Sequence, residues 1–370
     1  MPELHVGLMS GTSLDGVDAA LADFSRGISV RAHAHLPLPA ALRAELLALN
    51  TSGADELHRA ALAGNALARV YADAVARVLH LAGVAPHEVR SVGAHGQTVR
   101  HRPGAFDATG YTIQLLNASL LAELCGIDVV ADLRSRDVAA GGQGAPLVPA
   151  FHRALFARAG ETVTVLNLGG IANLTVLGAD GSTLGFDCGP ANALLDEWAQ
   201  RHLGAPYDVA GRWAAGGTVR DDLLRAMLAE PYFAMAPPKS TGRDLFNPAW
   251  LAAPLARCRD ATPQDVQATL AELSARASAE ALIRHARGAR HLLVCGGGAA
   301  NDHLMSRLAV LLPGVAVQPT DAHGLPAMQV EAAAFAWLAK MHGDRRCASL
   351  PSVTGATGAR ILGALYPAGD

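Results

Sequence analysis

The sequence predicts an α/β protein of two similarly built domains with a cleft between them. Three observations carry this expectation. The pattern strand, glycine turn, strand, strand, then helices occurs twice, about 155 residues apart. The chain has 370 residues, more than a single domain of ~100–200 residues takes up. Hydrophobic residues make up 51% of it, enough to fill two large cores.

The elements follow in order. Residues 4–9 and 17–24 read as strands around a small polar turn, and 28–36 (ISVRAHAHL) alternates as a half-buried strand does. Helical patterns cover 39–49 and 55–82, the second with Asp55 as its expected N-cap and Gly83 as its stop. Short strands are expected near 90–94, 111–115 and 127–131, with a helix near 117–125. The stretch DLRSRDVAAGGQGAPLVP, 132–149, breaks the pattern with glycines and two prolines. It reads as a functional loop and an approximate domain boundary. The expected division is 1–135 plus 340–370 for the first domain and 136–339 for the second.

The second cycle starts with an apolar strand at 162–168, turned by GGIAN into a strand at 174–178, then STLGFD and a helix over ANALLDEWAQRHLG. A long helix is expected over 262–287, with Thr262 as cap, Pro263 in the first turn and Asp265 three residues after the cap. HLLVCGGGAAN reads as strand, glycine turn, helix. A helix near 326–341 carries Glu331, and the tail ends in a helical pattern near 357–365.

Composition narrows the function. The net charge is −3, from 30 basic and 33 acidic residues, and no Lys/Arg run stands out. That argues against a nucleic-acid or anionic-membrane partner. The opening MPELHVGLMS has no cationic leader, and no run approaches the ~20 apolar residues a membrane span needs. The five cysteines are scattered and form no CxxC, which suits a reducing cytoplasm and neither a disulfide framework nor a zinc site.

Three glycine turns carry the chemistry: GTSLDG at 11–16, LNLGGIAN at 166–173 and VCGGGAAN at 294–301. Glycine lets backbone N–H groups converge on a phosphate without a Cβ in the way. Two such hairpins could clamp a triphosphate, and the third could take the adenosine side. None matches a P-loop, and the third lacks the spacing of a dinucleotide fingerprint. Paired β-hairpin clamps belong to the actin-like and hexokinase-like (ribonuclease H-like) ATPases.

Several stretches, in order along nearly the whole chain, resemble anhydro-N-acetylmuramic acid kinases: GTSLDGVD at 11–18, AHGQTV at 94–99, DLRSRDVAAGGQGAPLVP at 132–149, LNLGGIANLT at 166–175, GFDCGPAN at 185–192, STGRDLFN at 240–247, DVQATL at 265–270, VCGGGAAN at 294–301 and LPSVTGA at 350–356. The sequence departs from the family pattern at Cys188, where Thr is usual, at Ala191, where Gly is usual, and at Leu133. The resemblance implies a two-domain actin-like ATPase fold, ATP and Mg²⁺, and a homodimer. It also implies 1,6-anhydro-N-acetylmuramic acid as substrate and N-acetylmuramic acid 6-phosphate as product, in cell-wall recycling.

On the residues themselves, Asp187 reads as a general base or as a turn carboxylate, and the resemblance selects the base. Gly11, Thr12, Ser13, Leu14, Asp15, Gly16, Val17 and Asp18 are expected at the first phosphate turn, with Asp15 positioning Mg²⁺ through water. Gly169, Gly170 and Asn173 are expected at the second turn, and Gly296, Gly297 and Gly298 at the third. His95 is expected to bond the sugar; His95 and His101 together could be imagined as metal ligands, but nothing supplies a third at a recognisable spacing. Arg134 and Asp137 share the glycine-rich loop, where an arginine fork suits a phosphate or the lactyl carboxylate. The resemblance adds Glu331 as a sugar contact. Two rivals on the same fold are a carbamoyl-transferring ATPase, which should show paired metal-binding histidines and a basic surface, and a non-catalytic ATP-dependent module of the chaperone type.

Overall fold

The computed structural model describes residues 2–11, 14–243, 245–258 and 260–369. In chain order its strands are β1 (Leu4–Met9), β2 (Gly16–Asp23), β3 (Ser29–Pro37), β4 (Val89–Ala94), β5 (Gln97–Pro103), β6 (Gly110–Leu115), β7 (Val129–Ala131), β8 (Val163–Leu168), β9 (Ile171–Leu177), β10 (Thr183–Pro190), β11 (His291–Cys295), β12 (Ala316–Pro319) and β13 (Ala364–Tyr366). The chain divides into two units, Met1–Phe151 with Gln329–Asp370, and His152–Met328. The sequence places these boundaries at 135/136 and 339/340.

The first unit holds a sheet of order β13-β7-β4-β1-β2-β3, and the second a sheet of order β10-β9-β8-β11-β12. In each, the first strand pairs antiparallel with the second and parallel with the fourth, and the third pairs antiparallel with the second. The parallel fourth and fifth strands complete the order 3-2-1-4-5 in both units. The duplicated sequence pattern is thus a duplicated topology. β5 and β6 form a separate two-stranded ribbon, and the sequence pattern does not mark β5 as a strand.

In the first unit the buried helix Val330–Gly343 lies directly on the sheet. Two glycines allow this. A Cβ on Gly7 of β1 would stand 1.8 Å from the Ala332 carbonyl oxygen, and one on Gly93 of β4 would stand 2.0 Å from that of Phe335. Atoms cannot approach that closely, so both strands carry glycine where the helix backbone crosses. On the other face, Leu67, Tyr71, Val75 and Val78 of helix Glu56–Ala82 fill a core with Val6, Leu8, Val17 and Leu21.

In the second unit, helix Pro263–His285 starts as the sequence predicts. Thr262 Oγ1 accepts the Asp265 N–H at 3.1 Å, and the Asp265 carboxylate accepts the Thr262 N–H at 3.3 Å. Three expectations need correction. Asp55 stands at the N-cap position with φ of 50° and makes no side-chain cap bond. Within 132–149 the chain turns through a short helix, Ser135–Ala139, and enters another at Val148. The tail ends in strand β13, where no helix forms, because its apolar residues complete the sheet edge against β7.

Candidate active site

The first glycine turn joins β1 to β2. Thr12 and Ser13 lie outside the described residues. Leu14 and Val17 are buried in the first unit's core, so their side chains pack inward and offer no contact to a ligand. Asp15 is exposed, and its Oδ1 accepts the Gly16 N–H at 3.0 Å. Asp18 is half-buried, and its Oδ1 accepts N–H bonds from His33 Nε2 at 3.0 Å and His35 Nδ1 at 3.2 Å. A Cβ on Gly16 would lie 2.4 Å from the His35 ring, so glycine lets that ring close over the turn.

The entry to this turn is held by His95, just after β4, and Gln97, the first residue of β5. The Ser10 hydroxyl donates to Gln97 Oε1, and Gln97 Nε2 donates to the Gly11 carbonyl at 3.2 Å. His95 donates its main-chain N–H to the Leu8 carbonyl at 3.0 Å and its Nδ1–H to the Ser10 carbonyl at 3.1 Å. Its Nε2 accepts from Arg134 Nε at 3.2 Å and Nη2 at 3.0 Å. An arginine only donates and a carbonyl only accepts, so this pair of partners fixes the neutral tautomer. Burial, and then the Arg134 charge, lower the His95 pKa to about 3. The sequence points to His95 as a sugar contact. Here both ring nitrogens are engaged inside the protein, so the ring acts on Arg134 and Ser10.

Arg134 also donates to the Gly144 carbonyl at 2.8 Å. Gly144 in turn donates its N–H to Asp137 Oδ2 at 2.8 Å, and the Thr354 hydroxyl donates to Asp137 Oδ1 at 2.8 Å. Asp137 is fully buried, so it holds the glycine loop from within. Glu331 is half-buried in the first turn of helix Val330–Gly343, one turn ahead of Phe335, whose ring centroid lies 4.9 Å from that of His95. The structure therefore gathers His95, Arg134, Asp137 and Glu331 around one region of the first unit.

In the second unit the glycine turn between β8 and β9 sits on the N-terminus of helix Asn192–Leu203. The Gly169 carbonyl accepts the Asn192 N–H at 3.0 Å, and the Gly170 carbonyl accepts those of Ala191 and Ala193 at 3.0 and 3.1 Å. Asn173 on β9 stands opposite Asn167 on β8 and Asp187 on β10, so the three form one row across the sheet. The third turn closes the row. Gly296 has φ of 78°, and a Cβ there would meet Asn167 Oδ1 at 2.3 Å. Sequence reasoning does not single out Asn167; its place opposite Asn173 across a tight hairpin is the signal that could find it.

Asp187 lies at a bulge, where the β9–β10 register slips between Asp187 and Gly189. Its N–H donates to the Lys239 carbonyl at 3.2 Å, its carbonyl accepts the Tyr232 hydroxyl at 2.8 Å, and its Oδ2 accepts the Thr241 N–H at 2.9 Å. Lys239 Nζ donates to the Tyr232 carbonyl at 3.1 Å and sits 4.6 Å from the Tyr232 ring centroid. Burial lowers the Lys239 pKa. Two of the three departures from the family pattern lie here. Cys188 is buried, and burial followed by the Asp187 charge pushes its thiol upward, so it is a neutral core group. Ala191 is fully buried, and its N–H donates to the Gly170 carbonyl of the second glycine turn at 3.0 Å.

Among the described residues no group of three or more His, Cys, Asp or Glu is arranged to hold a metal ion, and no helix is long and apolar enough to cross a membrane. Two units of order 3-2-1-4-5, each with a glycine hairpin between its first two strands, define an α/β chain of the actin-like ATPase class. A family model described as anhydro-N-acetylmuramic acid kinase matches residues 3–368. The kinase of that name from Variovorax paradoxus is 63% identical over 99% of this chain and 99% of its own. That from Albidiferax ferrireducens is 57% identical over 100% of both. Among solved structures, component A of (R)-2-hydroxyglutaryl-CoA dehydratase from Acidaminococcus fermentans covers 90% of this chain and 96% of its own at 11% identity and TM-score 0.47. The chain belongs to the anhydro-N-acetylmuramic acid kinase family. Its activity is that of a sugar kinase acting on anhydro-N-acetylmuramic acid.

Proposed function

We propose that Asp187 is the general base of this reaction. In the anhydro sugar O6 is tied to C1 and carries no proton, so an ordinary kinase base would have nothing to remove. Asp187 instead takes a proton from water. The water oxygen bonds to C1, the C1–O6 bond breaks with its electron pair leaving on O6, and O6 attacks the γ-phosphorus of ATP to release ADP. The observation that carries this reading is the bulge at Asp187, with Oδ2 fixed by the Thr241 N–H in the row that runs to the second and third glycine turns.

The main-chain N–H groups of the three turns hold the ATP phosphates and the adenosine side. Arg134 meets the lactyl carboxylate or the transferring phosphate, Glu331 bonds the sugar, and Asp137 positions the Arg134 loop. The single exposed carboxylate of Asp15 suits an ion that keeps most of its water, so it would hold Mg²⁺ through water, and that ion would offset phosphate charge. The protein works in the cytoplasm as a homodimer. The test is Asp187→Asn, with ATP affinity, ring opening and phosphorylation measured together. Loss of both chemical steps with ATP still bound supports the role. Ring opening at normal speed overturns it.

A further inference from the structure

The stretch at 94–99 holds two buried polar side chains that reach the phosphate turn from behind. Gln97 is 1% exposed and spans the entry of that turn. Its Oε1 accepts the Ser10 hydroxyl, and its Nε2 donates to the Gly11 carbonyl at 3.2 Å. Ser10 is itself fully buried, so the Gln97 amide supplies a partner that water does not. Two residues earlier, His95 holds the Ser10 carbonyl with one nitrogen and accepts the Arg134 fork with the other. The turn entry, the imidazole and the arginine are one continuous hydrogen-bonded chain.

We propose that Gln97 is a positioning residue for ATP, and that His95 ties the placement of the first phosphate turn to Arg134. The inference rests on the reading of residues 11–16 as a phosphate turn. Amide and imidazole are suited to opposite ends of this job. The amide both donates and accepts, so it can fix a hydroxyl and a carbonyl in successive residues at once. The imidazole is held neutral, so it passes on orientation without adding charge beside the phosphates. A leucine or methionine at 97 would fill the same space and leave the Ser10 hydroxyl and Gly11 carbonyl without their partner.

The experiment uses the full chain, with a non-hydrolysable ATP analogue as probe. Gln97→Met is expected to weaken analogue affinity and raise KM for ATP about tenfold, with sugar affinity within twofold of the parent. Gln97→Glu keeps an acceptor for Ser10 but places an acceptor against the Gly11 carbonyl, so it should fail to restore affinity. Arg134→Lys breaks the fork onto His95 and should weaken the analogue as well as the sugar. Hydrogen exchange at residues 10–16, with and without analogue, separates the two ideas. Unchanged exchange in the parent protein removes the phosphate-turn reading itself. Protection in the parent with unaltered analogue affinity in a folded Gln97→Met overturns the positioning role alone.

Discussion

The Tyr232 hydroxyl donates a 2.8 Å hydrogen bond to the main-chain carbonyl of Asp187, across 45 residues of sequence. Burial, followed by the Asp187 charge, pushes this phenol upward, so it stays a donor throughout the working pH range. Tyr232→Phe leaves a carbonyl beside the proposed base without its partner. Such a loss costs about 1 kcal/mol. The expected outcome is a modest fall in thermal midpoint and a several-fold fall in kcat, with KM for ATP unchanged. Steady-state kinetics and a melting curve check it, and an unaltered kcat would detach the hydroxyl from catalysis.

Gly7→Ala tests the seat of helix Val330–Gly343. A Cβ at Gly7 falls 1.8 Å from the Ala332 carbonyl oxygen and 2.4 Å from the Ala336 nitrogen, both main chain. Neither can swing aside as a side chain would, so the helix must shift off the sheet. Overpacking of this kind costs about 1–3 kcal/mol or more. The variant should melt earlier or accumulate in inclusion bodies, while Gly83→Ala, with no atom within 4 Å of its Cβ, should lose only what its φ of 64° demands. Equal midpoints for the two would contradict the close approach.

These two cases also mark where the sequence is legible. The strand–turn–strand units around GTSLDG and GGIAN are local, and their apolar runs and glycines announce them. The capping box at Thr262 is local too. Asp55 misleads because the residue type for a cap is present while the backbone adopts φ of 50°. The tail near 357–365 misleads because pairing with β7 decides its structure, and that partner is more than 200 residues away. The clamp on Asp187 is illegible for the same reason. Tyr232, Lys239 and Thr241 carry no spacing that ties them to a carboxylate at 187; only folding brings them together. The polar run STGRDLFN is the one hint of it.

His152 supplies a pH prediction away from the site. It is fully buried, bonded to Thr175 Oγ1 at 2.9 Å, and burial lowers its pKa to about 3. The unfolded chain takes up a proton there below the ordinary value of about 6.5, and the folded chain does not until about pH 3. Unfolding free energy therefore rises with pH between these limits and is flat above them. Relative to pH 7.5, this one group should cost about 2 kcal/mol of stability at pH 5. His152→Asn removes the contribution, so the stability gap between the parent and the variant should narrow by about that amount on acidification. Denaturant titrations at the two pH values measure it, and a constant gap would mean that His152 is protonated in the folded chain.

The order of bond changes gives the last prediction. If water attacks C1 as the C1–O6 bond breaks, the oxygen that ends in the phosphate ester is the sugar's own O6. In oxygen-18 water, product sampled before the reducing sugar exchanges with solvent should carry the label at C1 and none in the ester bridge. A phosphoryl transfer that began with hydrolysis of ATP would instead place label in free phosphate and leave the ring closed. Asp187→Asn should abolish the C1 label together with phosphosugar, because one proton transfer gates both steps. The geometry asks for the water on the face of C1 opposite the leaving oxygen, with Asp187 in hydrogen-bond reach of it. Mass spectrometry of product quenched at early times reads the position of the label. Label in the ester bridge, or unlabelled C1 in early product, would mean that the carboxylate and the water do not act as proposed.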